Sequence, residues 1–192
     1  MIRKSEHRVS EKHALGLDQS DHAQTNGWRA AVMPPYVFRP MMAIDLPLIR
    51  RWLAEPHVVQ WWGDPAEQYA LVSGDLDEPA MDQFIVSADG HAFGYLQCYD
   101  LTAWNSGFGA HPAGTRGIDQ FIGELDMVDR GHGSAFIRTF IDGLLASGAP
   151  RIVTDPDPAN TRAVRAYEKA GFEKVRMVDT PDGPALLMVR NA

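Results

Sequence analysis

The sequence predicts an α/β fold of the layered α+β kind, one domain preceded by an N-terminal arm. From residue 36 onward, short β-branched and aromatic runs alternate with segments that are apolar at helical spacing. Gln83–Val86 and Ala92–Tyr99 flank Asp89-Gly90, the composition of a hairpin whose turn needs positive φ. Phe136, Ile137, Phe140, Ile141, Leu144 and Leu145 recur as pairs every four residues, which describes a strongly amphipathic helix.

Each element follows in turn. Residues 1–33 are polar, hold three of the seven histidines, carry a net +1 and show no apolar period, so they read as a flexible arm. Met33 sits where the patterned region begins. Residues 34–192 form the domain and carry a net −8. Tyr36–Phe38 reads as a strand. Ile44, Leu48, Ile49, Trp52 and Leu53 share a helical face, with Asp45 and Pro47 suited to a first turn. Residues 55–80 contain Pro56, Gly63, Pro65, Gly74 and Pro79 and read as loop, with one short helix near Glu67–Val72. The hairpin comes next, then a glycine-rich loop over 103–115 and a strand over Gly117–Gly123. Beyond the strong helix, Arg151–Thr154 is a strand. Asn160–Ala170 is a helix closed by Gly171 as a left-handed cap, with Phe172 packing behind it. Lys174–Val178 and Ala185–Arg190 pair around Pro181-Asp182-Gly183.

Composition narrows the function classes. Of 192 residues, 45% are hydrophobic and 22% charged, so the chain is a globular protein. No apolar run approaches the roughly 18 residues a membrane span needs. The basic start lacks the apolar core of a secretory signal. One cysteine, Cys98, excludes internal disulfides and cysteine zinc clusters and suits a reducing cytoplasm. His7, His13 and His22 read as surface histidines, and no metal is expected. A net charge of −7 argues against nucleic acid as a partner. The acidity of the domain serves either solubility or attraction of a small cationic substrate. A monomer and a homodimer both remain open.

Two stretches carry chemistry. Gly131-His132-Gly133-Ser134 precedes the strong helix, where N–H groups have no partner inside the helix and the helix dipole adds positive charge. Glycines let a pyrophosphate approach those groups, although a tight turn explains the same residues. Asn160, Ala163 and Tyr167 lie on one stripe of the later helix. Together the two stretches resemble the acetyl-CoA-binding motifs of the GCN5-related N-acetyltransferase (GNAT) superfamily. Val128 stands where that family usually has Gln or Arg. Trp61-Trp62-Gly63, Arg116-Gly117-Ile118-Asp119-Gln120, Thr154–Pro158 with Asn160, and Thr180–Pro184 narrow the resemblance to aminoglycoside 6'-N-acetyltransferases of type I, over about 36–190. A sister branch of siderophore acyltransferases usually carries His at the place of Asp119.

The resemblance implies a mixed, mostly antiparallel sheet flanked by helices and splayed between the fourth and fifth strands. It implies acetyl-CoA as co-substrate, held by Val128, Asp129, Arg130, Gly131, His132, Gly133, Ser134, Asn160 and Tyr167. It implies acetyl transfer to a primary amine, the 6'-amine of an aminoglycoside first. The alternatives are a siderophore or other small-metabolite amine as acceptor, or a module that binds acyl-CoA without turnover.

Residue by residue, Asp119 sits mid-strand, where a carboxylate is unusual unless paired; it either holds the substrate ammonium and takes its proton, or forms a structural salt bridge with Arg116 or another base. Tyr167 either gives a proton to the departing sulfur or is a satisfied core tyrosine. Asp155, after a strand end, is a substrate contact or an Asx turn; Asp182 is a substrate contact or an ordinary Pro-Asp-Gly turn. Trp62, Tyr69 and Gln97 complete the expected acceptor pocket. Between Thr102 and Thr115 there is no carboxylate to hold a polycation. His57, at a helix exit, and His132, in the phosphate loop, do not read as catalytic bases, and Cys98 reads as packing and not as a nucleophile.

Overall fold

A computed structural model describes residues 36–104, 107–180 and 183–192. The arm and Asp182 lie outside these described residues. Seven strands make one sheet in the order β1-β2-β3-β4-β5-β7-β6. They are β1 (Tyr36–Pro40), β2 (Met81–Ala88), β3 (His91–Asp100), β4 (Arg116–Ile122), β5 (Arg151–Thr154), β6 (Glu173–Thr180) and β7 (Gly183–Asn191). All pairings are antiparallel except β4 with β5. The hairpin turn is as expected, with Asp89 at φ 49° and Gly90 at φ 78°.

The helices are α1 (Leu46–Leu53), α2 (Pro56–Trp62), α3 (Pro65–Gly74), α4 (His132–Ala146) and α5 (Thr161–Lys169). The loop expected over 55–80 is therefore corrected to two helices and a 3-10 turn at Asp75–Asp77. Pro56 and Pro65 each occupy a first helical position, where the missing N–H has no partner to lose and the fixed φ suits the helix. Asp64 caps α3 by accepting from the N–H groups of Ala66 (2.8 Å) and Glu67 (3.0 Å). Ile44, expected on the buried face, is 80% exposed. It belongs to a 3-10 turn at Ala43–Asp45, so the 3.6-residue period of α1 does not reach it.

Strand alternation sends side chains to two different layers. Ile118 and Ile152 join Phe136, Ile137, Ile141 and Val164 under α4 and α5. Ile85, Tyr95 and Phe121 meet Ile49, Trp52, Leu53 and Trp62 beneath α1–α3. Asp119 and Gln97, two residues from Phe121 and Tyr95 along their strands, share that second face.

The splay is written in the register. β4 and β5 pair only through Arg116 with Ile152 and Gly117 with Val153. Beyond Gly117, β4 runs on through Asp119 and Gln120 while β5 ends at Thr154. The opening lies at the carboxyl end of two parallel strands, where α/β sheets place their ligands.

Candidate active site

Two clefts meet at the opening. The larger lies between the glycine loop and α5. Gly131 caps α4 at φ 84°, and Asp129 also takes a positive φ, 59°. The first bond into the helix runs from the Ala135 N–H to the Gly131 carbonyl, so the N–H groups before it face outward without helical partners. A methyl built on Gly131 meets nothing within 4 Å, so the space before the loop is open to a ligand. The cleft, of about 400 Å³, is lined by Val128, Asp129, Gly131, Gly133 and Ser134 on one side and Asn160, Arg162, Ala163, Arg165 and Lys169 on the other. Exposed N–H groups, open space and three cations form a donor set that fits a phosphate-rich ligand. Arg162 lies 3.6 Å from Asp129, joining the two walls.

The smaller cleft, of about 50 Å³, is lined by Trp61, Trp62, Asp119, Gln120, Thr154, Asp155, Asp157, Asn160 and Tyr167 among others. Asp119 is 7% exposed and accepts a hydrogen bond from Gln97 Nε2 at 2.9 Å. The bridge to Arg116 is not formed. Arg116 and Asp119 are three residues apart and point to opposite faces, and Arg116 Nη2 pairs with Asp82 at 2.6 Å. Tyr167 is buried, its ring set edge-on to Phe172, and it shares the cleft with the side chains of Thr154 and Gln120. Burial first, then the charge of Asp119, pushes the Tyr167 hydroxyl well above the ordinary phenol range. Asn160 spends its Oδ1 on the N–H of Ala163 (3.0 Å) as the cap of α5, so its amide N–H groups are what it offers the clefts.

The structure gathers Trp62, Asp119, Asp155, Asn160 and Tyr167 in the small cleft, and Val128, Asp129, Gly131, Gly133, Ser134 and Asn160 in the large one. Four expected residues line neither. Arg130 is exposed beside the loop. His132 bonds the Tyr36 hydroxyl through Nδ1 (3.0 Å) and packs its ring on Phe93. Tyr69 is half-buried under the Arg50 guanidinium, 4.2 Å from its ring centre. Gln97 is 2% exposed and reaches Asp119 instead of the cleft. Conversely, Trp61, Gln120 and Asp157, present in the sequence only as members of motifs, and the cations Arg162, Arg165 and Lys169, which carried no expectation, line the clefts. The three cations lie at i, i+3 and i+7 on α5, a spacing legible as one face. His57 opens α2, bonds the Ile122 carbonyl through Nε2 (2.9 Å) and lines the large cleft. Among the described residues no group of three or more His, Cys, Asp or Glu is arranged to hold a metal ion. No helix among them is long and apolar enough to cross a membrane.

A split mixed sheet with a glycine loop at its opening defines an acyltransferase architecture, and the family comparison agrees: residues 41–180 match the acetyltransferase (GNAT) domain, and the chain belongs to that family. It is 35% identical over 164 residues to the aminoglycoside N(6')-acetyltransferase type 1 of Klebsiella pneumoniae, covering 79% of this chain and 81% of that protein. The crystal structure of the aminoglycoside acetyltransferase AAC(6')-Ib with coenzyme A and kanamycin superposes with a TM-score of 0.72 at 34% identity, over 81% of this chain and 94% of that one. A more distant relative, 28% identical over 156 residues, is the lysine N-acyltransferase MbtK of Mycobacterium tuberculosis, with 77% and 73% of the two chains covered.

Proposed function

We propose that the protein transfers acetyl from acetyl-CoA to a primary amine of a small cationic acceptor, with the 6'-amine of an aminoglycoside as the first acceptor. The observation that carries this reading is the meeting of Asp119 and Tyr167 in one narrow cleft that adjoins the glycine-loop cleft. Acetyl-CoA would supply the activated acyl thioester, with its pyrophosphate on the N–H groups of Asp129–Ser134, the Val128 N–H being spent on the Leu125 carbonyl at 3.2 Å, its remaining phosphate charge toward Arg162, Arg165 and Lys169, and its pantetheine arm near Asn160.

The chain's residues then manage charge and protons. Asp119 and Asp155 attract the acceptor ammonium, and Asp119 takes its proton directly or through water. The freed nitrogen lone pair forms the C–N bond as the C–S bond breaks. Tyr167, held in its protonated form, presents its O–H to the departing sulfur. Because its proton is held more tightly than an ordinary phenol's, Tyr167 acts chiefly as a hydrogen-bond donor, and the thiolate gains its proton from solvent. Trp61 and Trp62 wall the site and exclude water from the reacting atoms. A reducing cytoplasm fits both the co-substrate and the lone buried cysteine.

A second reading, transfer to a lysine-type or other small-metabolite amine, is favoured by the absence of any carboxylate from Thr102 to Thr115. Free-thiol release from acetyl-CoA separates the two. A kanamycin-like amine is to be compared with its 6'-hydroxyl analogue and with lysine-type amines. Turnover only with the 6'-amine is expected; equal rates on both sugars remove the 6' assignment, and turnover confined to lysine-type amines establishes the second reading.

A further inference from the structure

Gln97 was expected in the acceptor pocket, yet sheet register gives it a different neighbour. Gln97 and Asp119 are direct cross-strand partners on β3 and β4, and Tyr95 and Phe121 are the next pair on the same face. The pleat therefore sets Tyr95, Gln97 and Asp119 side by side beneath α1–α3. The Tyr95 hydroxyl donates to Gln97 Oε1 at 2.9 Å, and Gln97 Nε2 donates to Asp119 Oδ2 at 2.9 Å. Tyr95 and Gln97 are 0% and 2% exposed, and the Tyr95 ring is fixed by stacking on Phe121 at 5.3 Å and by the edge of Trp62 at 6.1 Å.

We propose that Gln97, oriented by Tyr95, is a positioning residue that fixes the Asp119 carboxylate for proton transfer from the acceptor amine. The proposal rests on the reading of Asp119 as proton acceptor. A glutamine amide has two faces, and turned over it would set its oxygen against the carboxylate. Tyr95 removes that choice, because a phenol O–H donated to Oε1 leaves only the NH₂ end for Asp119. Burial, then the charges of Asp119 and Asp75, keep the Tyr95 hydroxyl protonated, so it remains a donor. An amide also holds a carboxylate without cancelling its charge. A cation in that place would compete with the substrate ammonium, and the β4 cation Arg116 is turned to the other face, toward Asp82. Among the described residues, Gln97 is the hydrogen-bond partner of the Asp119 carboxylate, on Oδ2, which leaves Oδ1 for the cleft. The other titratable groups near Asp119 are Tyr167 from α5, Asp155 and Asp157 beyond β5, and Cys98 on the opposite face of β3.

The experiment measures kcat and KM across pH for Gln97→Leu, Tyr95→Phe, Asp119→Asn and the double variant Gln97→Leu with Asp119→Asn. Loss of an N–H donated to the proton-accepting carboxylate is expected to move the acid limb of the kcat/KM profile to higher pH. Gln97→Leu is expected to lower kcat by about tenfold to hundredfold with the KM for acetyl-CoA unchanged. Tyr95→Phe shifts the limb in the same direction and lowers kcat by about threefold. In the Asp119→Asn background Gln97→Leu adds no further loss, because its effect passes through the missing carboxylate. A rise in acceptor KM with an unmoved limb makes Gln97 a direct substrate contact and overturns the proposal, as does an additive loss in the double variant. If Gln97→Leu does not fold, Tyr95→Phe decides by the same limb. Full activity in Asp119→Asn alone removes the proton-acceptor reading and this proposal with it; an inactive Asp119→Asn beside unmoved limbs in the other variants removes this proposal alone.

Discussion

The two clefts that meet at the sheet opening are built by different means. The large one is made of main chain: Gly131, Gly133 and Ser134 present N–H groups at the start of α4, with exposed cations facing them from α5. The small one is made of buried side chains, chiefly Asp119, Asp155, Thr154 and Tyr167. Backbone donors are fixed by the fold and recognise a common shape such as a phosphate. Buried side chains are fixed by one another and perform chemistry particular to a substrate. The split sheet lets both work on one molecule. Asp119 belongs to the α1–α3 face and Tyr167 to the α4–α5 face, and in an unbroken sheet the strands would keep them apart.

Substitutions that separate the clefts give the strongest tests of this division. The largest effect belongs to Asp119→Asn, which keeps the shape and removes the proton acceptor. Its kcat is expected to fall by about 10²–10⁴-fold while the dissociation constant of acetyl-CoA, read by calorimetry, stays within about twofold of wild type. Next comes Gly131→Val, which places a side chain in the space before the loop at a φ of 84° that L-residues disfavour. The expected outcome is the mirror image: KM for acetyl-CoA rises by about tenfold or more with acceptor KM nearly unchanged, and circular dichroism confirms a folded chain. If each variant damaged both substrates equally, the clefts would be one site without division of labour.

The smallest effect on turnover is expected at a buried carboxylate that lines neither cleft. Asp75, 8% exposed, has its pKa raised to about 6 by burial and secondarily by Glu78. Its carboxyl is ordinarily near 4 in an unfolded chain, so between roughly pH 4 and 6 the unfolded state releases a proton that the folded state keeps. Wild type thus loses stability as pH rises through that window. Asp75→Asn, which cannot ionise, should match wild-type Tm at pH 4 and exceed it by about 2–6 °C at pH 8, with kcat unchanged. A fall in kcat at equal Tm would show that the face beneath α3 takes part in turnover.

Local features of this fold were legible and non-local ones were not. Asp89-Gly90, the paired apolar residues of α4 and the Gly171 cap (φ 96°) each declare themselves within a few residues, and all take the expected form. Pro56 and Pro65 misled because a proline that ends one helix and a proline that begins the next look alike until the chain on both sides is seen. The candidate site divides in the same way. The glycine loop and the stripe of Asn160, Ala163 and Tyr167 are contiguous in sequence, so motif and spacing suffice. The pairing of Gln97 with Asp119 depends on the register of two strands joined through a loop more than a dozen residues long, and no local pattern encodes that register.

The position of β7 between β5 and β6 bears on how the molecule is made. A chain emerging from the ribosome in order produces β5, then β6, and only afterwards the strand that joins them. Until residues 183–191 are available, β5 rests on two pairs with β4, and β6 has no neighbour in the sheet. Residues 36–122 can complete their four-stranded portion during synthesis, whereas Tyr167 and Asp155 gain a rigid footing only when the last strand closes the sheet. Competence for chemistry therefore waits on residues 183–191, and a stop codon within them leaves a chain with the phosphate loop and the aspartate of β4 both encoded but no sheet to hold their partners in place.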